Sequence, residues 1–236
     1  MTRIVALETE LLHLPLPTPM LSSSSGGAGG TPVTHLWMPV VRLRTSDGIE
    51  GLGWGWNLLG GGQAIRAMLR EDVAPLVVGA DALDHRRICE RIRGRLRALG
   101  RSGVANQALA AVDLALWDLK GRLTGLPLHR LLGGSRDMAP VYGSDSGWLY
   151  MDVADMIAGF ERCLDDGMLG VKMKVGHEDP TVDITRVREV RQALGDDAWI
   201  AVDANQCWDY PTALRVGREL EALGVVWFEE PLSCED

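Results

Sequence analysis

The 236-residue sequence has only four cysteines, Cys89, Cys163, Cys207 and Cys234, widely spaced and without a CxxC pair. That argues against a disulfide framework and a structural zinc site, and the four read as free thiols. Basic charge is also short. There are 24 Lys and Arg against 32 Asp and Glu, for a formal charge of -8, and the basic residues are scattered. Without a basic stripe to track phosphates, nucleic acid is not expected as a partner. No run of about 18 apolar residues occurs, so no membrane span is expected. Glu8 and Glu10 interrupt the apolar pattern soon after Arg3, which argues against a signal peptide and for a cytoplasmic location. After residue 135 no Gly-rich loop joins strand to helix, which weakens any reading as a phosphate-binding α/β domain. What remains is 46% hydrophobic residues, enough to bury a sizeable core.

The pattern of elements changes near residue 135, so the expected domains are 1–134 and 135–236. In the first, Ile4–Leu14 alternates. Pro39–Arg44 and Ile49–Trp56 flank Ser46-Asp47-Gly48, a hairpin signal because Asp-Gly tolerates positive φ. Ser22–Gly30, SSSSGGAGG, has too little apolar surface to offset the entropy of ordering and is expected to be a mobile loop. Helical spacing covers Gly62–Val78, Ala82–Leu99 and Val104–Leu123. In the last of these, Leu109, Val112, Leu116, Leu119 and Leu123 form one stripe, and Gly125 with Pro127 stops it.

Residues 135–236 alternate short apolar runs with amphipathic stretches. Val141-Tyr142, Gly170–Val175, Trp199–Asp203 and Val225–Glu229 read as strands, and Val153–Asp166, Val182–Leu194 and Tyr210–Leu223 as helices between them. The repeat of about 26 to 31 residues is the length of a strand plus a crossover helix, so the sheet is predicted to be parallel, as an open sheet or part of a barrel.

Charges sit at the ends of these strands. In Val171-Lys172-Met173-Lys174-Val175 the two lysines share a face, about 6.6 Å apart along the strand. Alone, such a pair also suits an edge strand guarded by lysines. One repeat later the strand ends in Asp203-Ala204-Asn205, and one repeat after that in Glu229-Glu230-Pro231. Either acid singly also suits a helix cap. Together, the three strand ends predict one mouth, with carboxylates suited to Mg²⁺. Two like charges at that spacing repel by about 2.5 kcal/mol at an effective dielectric near 20, enough to bring one lysine towards service as a base.

At these residues the sequence resembles the enolase superfamily, specifically the mandelate racemase and muconate-lactonizing group. Ala110–Asp118, Gly125-Leu126-Pro127-Leu128 and Leu131–Gly134 are similar to the helical signature of that family, and the likeness covers nearly the whole chain. It implies an α+β N-terminal capping domain followed by an incomplete α/β (β/α) barrel of about four βα units, with Mg²⁺ and a small-molecule carboxylate substrate. Lys174 is implied as the base that takes the proton α to the carboxylate, a role this superfamily is known for. Lys172 is implied to hold the substrate carboxylate and depress the pKa of Lys174. Asp203 and Glu229 are implied as metal ligands, Asn205 as a support for metal or substrate, and Glu230 as structural. The loop at Ser22–Gly30 and the segment Trp54–Asn57 resemble loops that close over substrate, although spacing assigns no specificity role to Trp56 or His35.

The resemblance implies dehydration of a sugar acid, with racemisation or epimerisation of a hydroxy acid as the alternative. Glu229-Glu230-Pro231 leans towards those branches rather than the cyclising one. The family's third acidic ligand and its later His or Lys would lie beyond Asp236, and none of His13, His35, His85, His129 or His177 takes that place. This reading expects a truncated chain with weak Mg²⁺ binding and little turnover alone, and a homo-oligomer for the full-length form. A half barrel with an interaction role is the competing expectation.

Overall fold

The computed structural model describes residues 2–20, 32–58, 60–100 and 103–235. The glycine-serine segment Ser22–Gly30 lies outside them. The chain divides into two compact units, Met1–Pro17 with His35–Arg136, and Thr18–Thr34 with Asp137–Asp236.

The first unit holds most of a sheet of β1 (Ile4–Met20), β2 (Val33–Thr45) and β3 (Glu50–Trp54), in the order β1-β2-β3. The predicted hairpin pairs Val40 with Trp54 through Arg44 with Glu50. Gly48 in its turn has φ 80°, and Thr45 closes the turn through Ile49. In β2, Val41 and Leu43 are buried and Arg42 and Arg44 are exposed, the alternation of a strand with one wet face. The first strand runs past the predicted Leu14. Pro15, Pro17 and Pro19 suggest a stop, but β1 is an edge strand, where a missing N–H is tolerated.

Helices cover one face of this sheet. The predicted helix 62–78 is α1 (Gly62–Met68) and α2 (Ala74–Val77), joined by a π-helical turn at Leu69–Val73. Pro75 has no N–H for the carbonyl four residues back, and the wider turn accommodates its ring. The predicted helix 82–99 begins later, as α3 (His85–Arg95), and ends in a 3₁₀ turn at Arg97–Leu99. Helix α4 (Gly103–Thr124) buries Leu109, Val112, Leu116 and Leu119 as the stripe predicts. It lies so close to β3 that a Cβ on Gly51 or Gly53 would strike the carbonyls of Ala115 and Ala111. Asp118 fixes the approach, accepting from the Leu52 N–H at 2.8 Å and Arg122 Nε at 2.9 Å. A short α5 (Leu128–Leu131) follows.

The second unit is a parallel sheet, β4 (Tyr142–Gly143), β5 (Gly170–Lys174), β6 (Trp199–Asp203) and β7 (Phe228–Glu229), in chain order. Helices α6 (Val153–Asp165), α7 (Pro180–Leu194) and α8 (Tyr210–Ala222) connect the strands. Each helix starts at an aspartate, Asp152, Asp179 or Asp209, whose carboxylate accepts from a first-turn N–H. Val171, Met173, Val175, Ile200, Val202 and Ala204 pack against Phe160, Val187, Val190, Val216 and Leu220 of the helices. Strand β7 is shorter than predicted, although Val226 and Trp227 already bond to β6 before it.

The helices are pinned by a buried cation. Arg191 donates to the carbonyls of Leu223, Gly195, Asp196, Ala198 and Gly224, at 2.7–3.3 Å.

Candidate active site

Sheet register assembles the site. In the parallel ladder Lys174 is level with Asp203, and Asp203 with Glu229, so all three side chains leave the sheet on the face opposite the helix-packed core. Lys172, two residues before Lys174, shares that face. The helices cover Val171, Met173 and Val175, which leaves the alternate lysines to be satisfied by charge.

The four groups form one chain of ion pairs. Lys174 Nζ donates to Asp203 Oδ2 at 2.6 Å, Lys172 Nζ to the same oxygen at 3.3 Å, and Lys172 Nζ to Glu229 Oε2 at 2.8 Å. Asp203 is 2% exposed. Its second oxygen accepts the backbone N–H of Asn205 at 2.9 Å. Burial pushes the Asp203 carboxyl up, but the hydrogen bond and charge of Lys174, the Asn205 N–H and the charge of Lys172 outweigh it, and the net direction is down.

Sharing one oxygen brings the ammonium groups closer than the roughly 6.6 Å strand spacing suggests. Repulsion nevertheless does not govern Lys172. Burial pushes its ammonium pKa down, and the bonds and charges of Glu229 and Asp203 more than reverse this, so it lies above the usual lysine value. Counting the two lysines alone omits the carboxylates that neutralise them.

The strand ends are conformationally unusual. Asn205, Gln206 and Glu230 have φ of 48°, 64° and 33°, left-handed values that side chains seldom adopt. Glu230 stabilises this turn. Its carboxylate accepts from Asn205 Nδ2 at 2.9 Å and Gln206 Nε2 at 3.1 Å, and its carbonyl from the Gln206 N–H at 2.8 Å. The amide oxygen of Asn205 is buried without a hydrogen-bond partner, an acceptor that a ligand's donor would satisfy.

Two aromatic residues flank the lysines and carry no signal in sequence. The Tyr142 ring lies 6.0 Å from Lys172 Nζ, and the Trp148 ring 5.9 Å from Lys174 Nζ. Trp148 sits in an irregular loop, and only the fold brings it to β5. In the first unit, Trp54 and Trp56 are exposed, and Asn57 pairs with Trp37, so the segment Trp54–Asn57 extends the hairpin. His35 stacks on His13, which stacks on Trp37.

The donor set fits a hard dication. Asp203 and Glu229 stand on adjacent strands and already share one cation, the Lys172 ammonium, and two carboxylates leave coordination positions for water and substrate oxygens, as Mg²⁺ requires.

Comparison with known proteins gives the same picture. The family described as "Mandelate racemase / muconate lactonizing enzyme, N-terminal domain" matches residues 30–133, and "Enolase C-terminal domain-like" matches residues 155–236. The chain is 37% identical over 234 residues to L-talarate/galactarate dehydratase of Salmonella typhimurium strain LT2, covering 99% of this chain and 58% of that protein. A crystal structure of L-talarate/galactarate dehydratase from Salmonella typhimurium LT2, liganded with Mg and L-lyxarohydroxamate, superposes with a TM-score of 0.91 at 36% identity. It covers 100% of this chain and 60% of that one. A racemase from Streptomyces coelicolor A3(2) with bound magnesium superposes with a TM-score of 0.89 at 36% identity, over 99% of this chain and 64% of that one. The chain thus spans about 60% of the length of these relatives. With both halves matched in order and the strand-end charges assembled on one face, the chain belongs to the enolase superfamily, in its mandelate racemase and muconate-lactonizing group.

Proposed function

We propose that the protein is a Mg²⁺-dependent enzyme that removes the proton α to the carboxylate of a sugar acid and then eliminates water. The observation that carries this reading is the run of Lys174, Asp203, Lys172 and Glu229 along three adjacent strand ends, each bonded to the next. Its substrate class is supported by the likeness to an acid-sugar dehydratase.

Asp203 and Glu229 would hold the metal. When bound, Mg²⁺ would supply positive charge to offset negative charge developing on the substrate carboxylate. The rest falls to the chain's own side chains. Lys174 stands at the mouth beside Asp203, with Nζ 2.6 Å from Oδ2. Its Nζ takes the α-proton. Lys172 keeps its charge and pairs with the substrate carboxylate. Asn205, held by Glu230, offers its unpaired oxygen to a substrate hydroxyl.

The test is exchange of the α-hydrogen for deuterium in D₂O with Mg²⁺ across a panel of sugar acids. Lys174→Ala is expected to lower exchange by about 10²–10⁴-fold, the range for loss of a general base. Unchanged exchange would remove Lys174 as the base. Racemisation or epimerisation is the second reading, favoured by the likeness to the Streptomyces coelicolor racemase. Exchange with inversion and without loss of water would select it.

A further inference from the structure

A second constellation lies in the first unit, between α3 and α4. His85 and Cys89 are one helical turn apart on α3, and Asp113 faces them from α4. His85 Nε2 is 2.8 Å from Asp113 Oδ1, Cys89 Sγ is 3.3 Å from the same oxygen, and Cys89 Sγ is 3.8 Å from His85 Nε2. The cysteine is buried, while His85 and Asp113 keep 17% and 34% of their side-chain surface, so the cluster opens to water on one side. The Trp117 ring, 4.5 Å from that of His85, holds the imidazole in place.

The geometry argues against a nucleophilic triad. A thiol activated by a His-Asp pair meets one ring nitrogen while the acid meets the other. Here thiol and acid both converge on Nε2. Three donors of different softness aimed at a common point are the arrangement of metal ligands. A tetrahedral ion with bonds of about 2.0–2.3 Å to N, O and S separates its ligand atoms by about 3.3–3.6 Å; the observed separations of 2.8, 3.3 and 3.8 Å lie within about 0.5 Å of those values, so small side-chain shifts would seat an ion. Charge also balances, since one thiolate and one carboxylate neutralise a dication in a half-buried place.

We infer that His85, Cys89 and Asp113 form a three-ligand site for one borderline-soft divalent ion of the Zn²⁺ class, with solvent in the fourth position. Such an ion cross-links α3 to α4 and is distinct from the hard cation proposed for Asp203 and Glu229. Cysteine spacing does not reveal it, because the ligands come from two helices and include a single sulfur. On binding, the Cys89 proton leaves to solvent and the imidazole carries its remaining proton on Nδ1.

The test uses Co²⁺ as the optical probe, titrated into the reduced full chain with excess Mg²⁺ present. One equivalent is expected to produce thiolate-to-cobalt charge-transfer absorption, with the stronger ligand-field bands of a four-coordinate ion, and equimolar Zn²⁺ should abolish it. Cys89→Ser should remove the charge-transfer band entirely. His85→Gln, at the solvent side, should weaken Co²⁺ binding by at least about tenfold, and it carries the test should the serine variant not fold. No charge-transfer band in the parent, a band that survives Cys89→Ser, or His85→Gln binding as tightly as the parent would each overturn the assignment. Oxygen-only binding at Asp203 and Glu229 gives no thiolate band, so the two sites are read separately.

Discussion

The charge chain at the strand ends makes a strong prediction for Asp203→Asn. Asparagine is nearly isosteric and retains an oxygen for the Asn205 N–H, so shape and turn geometry are preserved. It loses the negative charge that lies 2.6 Å from Lys174 and 3.3 Å from Lys172. The lysine side chains are only 20% and 12% exposed, and Glu229, at 40%, reaches Lys172 alone. Lys174 therefore becomes a mostly buried ammonium without a counter-charge. Removing one partner of a buried pair costs about 3–5 kcal/mol, and because the lysines retain some water the lower end applies. At about 3 kcal/mol, a protein of this size should lose about 6–12 °C in Tm. Hydrogen exchange in chelator locates the effect, since the amides of Lys174, Val202 and Ala204 should open more readily while β2 and β3 keep their protection. An Asp203→Asn protein as stable as its parent, or more so, would refute the claim that these charges stabilise one another in the fold.

Other consequences follow from the same contacts. Asp203 is held below its usual 3.8, so its contribution is complete above that value and is lost as pH falls through the lower folded value. Lys172 is held above 10.5, so its contribution is complete below 10.5 and is lost as pH rises through the higher folded value. Urea midpoints of the metal-free protein should show this site's contribution constant from about pH 5 to 9 and falling outside, with its acid limb absent in Asp203→Asn. Arg191→Ala should cost about 4 kcal/mol in urea unfolding, because it leaves five carbonyls without their donor in the turns after α7 and α8. A loss under about 1 kcal/mol would mean that water replaces the guanidinium there. Burial, with the hydrogen bond and charge of Asp113, pushes the Cys89 thiol up to about 12. In native, metal-free protein, a thiol-disulfide reagent at pH 8 should therefore modify exposed Cys234 first and Cys89 last, checked by peptide mass mapping.

How far the sequence could be read follows from the kind of interaction involved. Local periodicity shows α4 almost to the residue, because one apolar stripe decides its face and Gly125 ends it. The parallel repeat puts Lys172, Lys174, Asp203 and Glu229 on a common face, since a period of two and a constant repeat are properties of spacing alone. Alternation read only as far as Leu14 leaves β1 too short, because whether Pro15, Pro17 and Pro19 can continue a strand depends on which strand lies at the sheet edge. The electrostatics are legible only in part. Spacing places two lysines near each other and suggests repulsion. It does not reveal that Glu229 reaches Lys172 or that Asp203 Oδ2 lies between the two lysines, and these two acids together set the direction for Lys172. Glu230 illustrates the same limit. One residue past a candidate ligand, it reads as structural by alternation, and it is structural in a way that alternation cannot describe, since the left-handed turns at Asn205, Gln206 and Glu230 bring its carboxylate back onto two amides. His85, Cys89 and Asp113 carry no spacing signal between helices, because helix packing alone converges them. Side chains aligned by one regular element can be read before the fold is known, and those that meet across two elements cannot.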